Sequence, residues 1–125
     1  VAAFHLVEDG RQHLAGGRTE TAIATFQKAL ALAPSSPHAN LALAEAKVRQ
    51  GAFRAALIYC DRVVRLVGDD PAWRPKLALT RGHAFEGVGD AVRAAEEFRR
   101  VLDADPGNQQ AREALIRLES AARTP

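Results

Sequence analysis

Three glycines, Gly17, Gly51 and Gly89, set a register that the rest of the chain repeats. Five positions after each comes an alanine (Ala22, Ala56, Ala94), and four further on come Phe26, Cys60 and Phe98. Ala29, Val63 and Val101 follow three beyond those, and the blocks close on Pro34, Gly68 and Pro106. Seven positions before each glycine stands a small residue, Gly10, Ala44 or Gly82. The glycines are offset by 34 and then 38 residues, computed as 51−17 and 89−51. A period of this length excludes most folds. It belongs to stacked supersecondary units, none of which buries its apolar face alone.

Each unit is a pair of helices. Ile23, Phe26, Leu30 and Ala33 follow the 3–4 spacing of one apolar helix face. Ser36 before Pro37, Asp90 and Asn108 are suited to cap helix N-termini. The small residues recur where two helices of a hairpin must cross closely, and the Phe is expected to fill the gap between successive hairpins. The expected fold is all-α, an α-solenoid of antiparallel hairpins with about seven helices. Repeat 1 spans about 3–36, repeat 2 about 37–70 and repeat 3 about 71–108, and a closing helix covers about 109–122. The closing helix reads as a cap, with Thr124-Pro125 ending the pattern, rather than as half of a fourth repeat.

The linker Gly68-Asp69-Asp70-Pro71-Ala72-Trp73-Arg74-Pro75 carries the four extra residues of the longer offset. Asp70-Pro71 repeats the Ser36-Pro37 start signal, so the third repeat's first helix is expected to begin there, a turn early. The alternative is a loop with the helix starting at Pro75. Trp73, the only Trp, is expected to pack locally.

Ala22-x3-Phe26…Pro34 and Ala94-x3-Phe98…Pro106 resemble the tetratricopeptide repeat family, whose 34-residue helix–turn–helix carries A-x3-F and a closing P. The likeness covers roughly residues 3–108. The first-helix half of the signature is degraded, with no Trp or Tyr in register. The resemblance implies a right-handed superhelix whose first helices line a concave groove. Carried over by position, repeat 1 would give that groove Phe4, Val7, Arg11 and Leu14, and repeat 2 His38, Leu41, Glu45, Val48 and Arg49. Repeat 3 would give Lys76, Leu79, His83 and Glu86, and Glu113 and Arg117 of the last helix would extend the row. Phe4, Val7, Leu14, Leu41, Val48 and Leu79 would form an apolar strip, the kind of patch that marks a binding surface. Arg11, Glu45, His83 and Arg117 would run beside it as a charged ladder, with Arg11 and Glu45 placed to pair.

The family's best-known ligand chemistry is a clamp of Lys, Asn and Arg on the acidic C-terminus of heat-shock chaperones. Only Lys76 falls at a clamp-like position. Val7, Arg11, Ala42 and Thr80 stand at the others, which argues against a chaperone tail. An extended or helical partner segment with apolar anchors fits better.

Composition excludes more than it assigns. Net charge is +2 with the charges interspersed, so no basic stripe points to nucleic acid. No apolar run has the length of a membrane span, and no targeting leader is visible, which leaves the compartment open. Fourteen Arg against three Lys and abundant Ala suggest a bacterial source, and the absence of Met marks a processed product or excised piece. His5, His13, His38 and His83 lack ligand spacing, so no metal or other cofactor is expected. Cys60 replaces a core Phe and reads as a buried hydrophobe. Glu96 and Glu97 are adjacent on a helix and point apart, and Gly87-Val88-Gly89-Asp90 lacks the Lys-Ser/Thr of a phosphate loop. The expectation is therefore a non-catalytic scaffold or adaptor module that binds a protein or peptide. Self-assembly into a homo-oligomer, or tethering of a larger protein, is the second reading.

Overall fold

A computed structural model describes residues 1–123 and contains seven helices, with no strand among those residues. They are α1 (Ala2–Ala15), α2 (Thr19–Leu32), α3 (Pro37–Gln50), α4 (Phe53–Val67), α5 (Arg74–Val88), α6 (Ala91–Ala104) and α7 (Gln109–Arg123). Thr124 and Pro125, read above as the end of the pattern, lie outside the described residues. The helices form two compact units, Val1–Gly68 with α1–α4 and a second beginning at Asp69 with α5–α7.

The three register glycines are where helices stop. Gly17, Gly51 and Gly89 have φ of +79°, +84° and +87°, a region that side-chain-bearing residues rarely enter, and Gly51 and Gly89 are the C-caps of α3 and α5. The expected N-caps form as well. Ser36 Oγ accepts from the Ala39 N–H at 3.1 Å, Asp90 Oδ1 from Arg93 at 3.1 Å and Asn108 Oδ1 from Ala111 at 3.0 Å. Each satisfies one of the four orphan N–H groups of its helix.

Within each unit the small residues set how closely two helices approach. A Cβ built on Gly10 would lie 2.3 Å from Phe26 Cε1, and one on Gly82 would lie 2.7 Å from Phe98 Cε1. Each Phe ring thus lies flush on the first helix of its own hairpin. Phe26 also joins Ala39, Ala42, Leu43 and Ala46 of α3 in one core cluster, which carries the first hairpin onto the second. In the second unit Phe98 and Val101 of α6 form a cluster with Ala111 and Ala114 of α7. Burial of one such ring stabilises by about 1.5–3 kcal/mol.

The early start of the third repeat is not observed. Residues 71–73 form a turn, held by Trp73 N–H to Asp70 O at 3.2 Å and by Ala72 N–H to Asp70 Oδ1 at 3.0 Å. Helix α5 begins at Arg74, which places Pro75 within its first two positions. There the missing N–H has no intrahelical partner to lose, whereas a helix from Pro71 would carry Pro75 in its interior.

Candidate partner-binding faces

The residues expected to line a groove separate by what they touch. Val7, Leu14 and Leu41 are only 5%, 4% and 2% exposed, so the expected apolar strip is not presented to solvent. The reason is helical register. Val7 and Leu14 lie three before and four after Gly10, and Leu41 lies three before Ala44. They therefore share the stripe on which the close helix contact is made. Val7 and Leu14 join the core cluster that contains Phe26. Leu79 and Val48 are half-buried, and Phe4 alone of the six stands well exposed, at 63%.

The charged positions tie one first helix to the next. In the first unit Arg11 Nη1 lies 3.3 Å from Glu45 Oε2, joining α1 to α3. Arg49 Nη1 donates at 2.9 Å to Leu14 O near the end of α1, a carbonyl that also accepts from Gly17 N–H at 3.1 Å. In the second unit Arg117 of α7 donates to both oxygens of Glu86 on α5, through Nε at 2.9 Å and Nη2 at 2.8 Å. That hydrogen bond holds the Glu86 carboxyl below its ordinary range. Burial opposes the shift, and the charges of Arg117 and His83 add to it. The His83 ring stands edge-on to Phe98, centroids 5.1 Å apart at 69°. Exposed positions on the first-helix faces include Phe4, His38 and Lys76, and no carboxylate among the described residues lies within ion-pair distance of Lys76.

The clamp-like positions look the same way. Val7 and Ala42 are buried, Arg11 is paired, and Thr80 is buried with its hydroxyl donating to Lys76 O at 3.0 Å. Among the described residues no group of three or more His, Cys, Asp or Glu is placed to hold a metal ion. No helix is long and apolar enough to cross a membrane.

Two features escape a reading of the sequence. Glu97 is buried between Arg81, 3.7 Å away, and Arg100, while its neighbour Glu96 is exposed. The Arg81 and Arg93 guanidiniums also stand 5.7 and 5.9 Å from the centroid of the Phe85 ring. The second is Asn40, fully buried on α3, whose Nδ2 donates to Ser36 O at 2.8 Å and Pro34 O at 3.3 Å. Neither has a periodic signal. The only sign is a polar residue at a position whose register is otherwise internal.

Antiparallel hairpins in which a small residue on the first helix receives a large one from the second define a helical-hairpin repeat protein. The family model described as Tetratricopeptide repeat matches residues 13–79, more than half the chain, and the chain belongs to that family. It is 30% identical over 115 residues to DnaJ homolog subfamily C member 3 of Rattus norvegicus, covering 92% of this chain and 22% of that protein. It is also 30% identical over 118 residues to the Hsp70-Hsp90 organizing protein of Triticum aestivum, covering 93% of this chain and 19% of that one. The chain thus spans about a fifth of the length of the curated relatives it matches. Among solved structures, the first TPR domain of Spaghetti (RPAP3) bound to the HSP90 peptide SRMEEVD superposes with a TM-score of 0.83 at 25% identity. That match covers 98% of this chain and 94% of the other. MamA from Desulfovibrio magneticus, at 19% identity and a TM-score of 0.81 over 96% of this chain and 66% of that one, shares the fold.

Proposed function

We propose that this chain is a non-catalytic interaction module that holds a peptide or helical segment of a partner protein against its first-helix faces. The observation that carries this reading is the likeness, across nearly the whole chain, to a repeat domain bound to a peptide. The internal ties support it. Arg11–Glu45, Arg49–Leu14 O and Glu86–Arg117 lock successive first helices, so a ligand meets preorganised side chains and little ordering entropy is lost on binding.

The ligand differs from the peptide of that relative. SRMEEVD carries three carboxylate side chains. Here, among the described residues, Lys76 is the one cation at a clamp-like position with no ion-pair partner, because Arg11 is paired and Val7, Ala42 and Thr80 are buried. A segment with few charges, contacting Phe4 and His38 on the first unit or Lys76, Leu79 and His83 on the second, suits these surfaces better. The scaffold or adaptor role and the bacterial source indicated by composition belong to the same reading.

The test is capture of partners from the source organism's lysate by wild type and by Phe4→Glu/Lys76→Glu, two exposed sites that leave the core intact. Leu41→Asp is unsuited because it would bury a charge. A partner retained by wild type and lost by the variant, with unchanged helicity, supports the reading. Equal recovery by both moves binding away from the first-helix faces. A second reading, self-association through α1, is favoured by the exposed Phe4 and Val1, and a mass in solution that stays monomeric as concentration rises removes it.

A further inference from the structure

The first unit carries a pocket apart from the expected groove residues, lined by Pro34 from the α2–α3 turn, Asn40 of α3, and Arg62, Arg65 and Leu66 near the end of α4. Its volume is about 210 Å³. Its origin is visible in the register. Asn40 lies four positions before Ala44, where the family signature W-x2-L-G places its Trp, and Leu43 holds the Leu of that signature. A short amide in place of an indole leaves a hollow beside α4.

The wall is built rather than incidental. Asn40 is fully buried, and its two Nδ2 bonds to Pro34 O and Ser36 O pin the turn against α3. Its Oδ1 is also buried and finds no donor among the described residues, so the wall keeps one acceptor unused. The two arginines are held from below. The Arg62 guanidinium lies 5.1 Å from the Tyr59 ring centroid, and Arg65 Nε donates to Asp61 O at 3.4 Å. No carboxylate among the described residues comes within ion-pair distance of either, in contrast to Arg11 and Arg117. Ile58, one turn before Arg62 on the same face of α4, is also exposed.

Size and charge together select an occupant. Pockets that enclose a whole metabolite run to about 300–1,000 Å³, and this one matches a single large side chain. Pro34 and Leu66 beside two guanidiniums that have no carboxylate partner among the described residues complement an apolar residue flanked by carboxylates. We propose that this pocket anchors one large apolar side chain of a partner polypeptide whose neighbouring residues are Asp or Glu. It would be a second docking site, distinct from the first-helix faces.

The test is fluorescence anisotropy at low salt with fluorescein-labelled heptapeptides GDEXEDG, X being Leu, Ile, Met or Phe, with X as Ser and GKKFKKG as controls. At least one acidic apolar peptide should bind, and the Ser and Lys peptides should bind at least about tenfold more weakly. Arg62→Glu/Arg65→Glu and, separately, Leu66→Asp should each weaken the bound peptide by about tenfold or more with helicity unchanged, whereas Lys76→Glu should leave it unaltered. The proposal is overturned if no apolar member binds below about 1 mM, if the Ser peptide binds equally, or if the double arginine variant keeps its affinity. A loss in Lys76→Glu matching that in the arginine variant also overturns it, by placing the peptide on a first-helix face. Failure here leaves the first-helix reading standing, since that reading is tested at Phe4 and Lys76.

Discussion

The hairpins α1–α2 and α5–α6 solve the close crossing of two helices differently from α3–α4. In the outer two a glycine on the first helix receives a phenylalanine from the second, Gly10 with Phe26 and Gly82 with Phe98. In the middle hairpin the equivalent positions are Ala44 and Cys60, both fully buried. One methyl more on the first helix is matched by a much smaller side chain on the second. The register therefore specifies a shared volume across two helices rather than a residue at either place. That is why Cys60 needs no chemical role to be where it is.

The largest effect expected from this comparison is Phe98→Ala, which removes the large partner over Gly82 and should cost about 3–5 kcal/mol, while Cys60→Ala should cost clearly less. Chemical denaturation followed by circular dichroism checks both, and equal losses would break the contrast. Cys60→Phe comes next. It should overpack against Ala44 and destabilise by about 1–3 kcal/mol, and adding Ala44→Gly should restore part of that loss. A double-mutant cycle with no coupling would show that the two positions do not share volume. Gly82→Ala is smaller, because the clash with Phe98 is offset by helix propensity of about 1 kcal/mol, leaving a net loss of roughly 1–2 kcal/mol. The same substitution in reverse, Ala44→Gly alone, should cost no more than about 1 kcal/mol.

The smallest effect concerns the charged ties. The Glu86 carboxyl is held below its ordinary value in the folded chain, so the pair stabilises fully above the unfolded glutamate pKa of about 4.3 and is lost as pH falls through the lower folded value. Both partners are partly exposed, so screening limits the contribution to about 0–1 kcal/mol. Glu86→Gln should lower stability slightly at pH 7 and make no difference near pH 2. A gap that persists at pH 2 would mean that Glu86 acts through packing and not charge.

Much of the fold is legible because its signals are backbone signals. Positive-φ glycines, N-cap side chains and a 34-residue register each mark a helix end without needing a partner. The start of α5 was harder, since Asp70-Pro71 and Trp73-Arg74-Pro75 both look like helix beginnings. The position of Pro75 decides between them only once the turn is seen. The faces were less legible still. Val7, Leu14 and Leu41 have the periodicity of a presented strip, but periodicity fixes a stripe and not the side it meets. One position, about 100° on a helix, separates a groove from a hairpin interface. Glu97 and Asn40 have no periodic signal, since Glu97 is covered by its arginine neighbours and Asn40 is held under the α2–α3 turn by its bonds to Pro34 O and Ser36 O.

Position 116 extends the register rule to the last helix. Ile116 stands ten residues past Pro106, as Ala44 stands ten past Pro34, so it holds in α7 the place that Ala44 holds in α3, and it is 64% exposed. A β-branched side chain there props away any helix that approaches at the distance the other hairpins use. Side-chain volume at this one position thus distinguishes α7 from α1, α3 and α5, each of which presents a glycine or an alanine where a second helix packs.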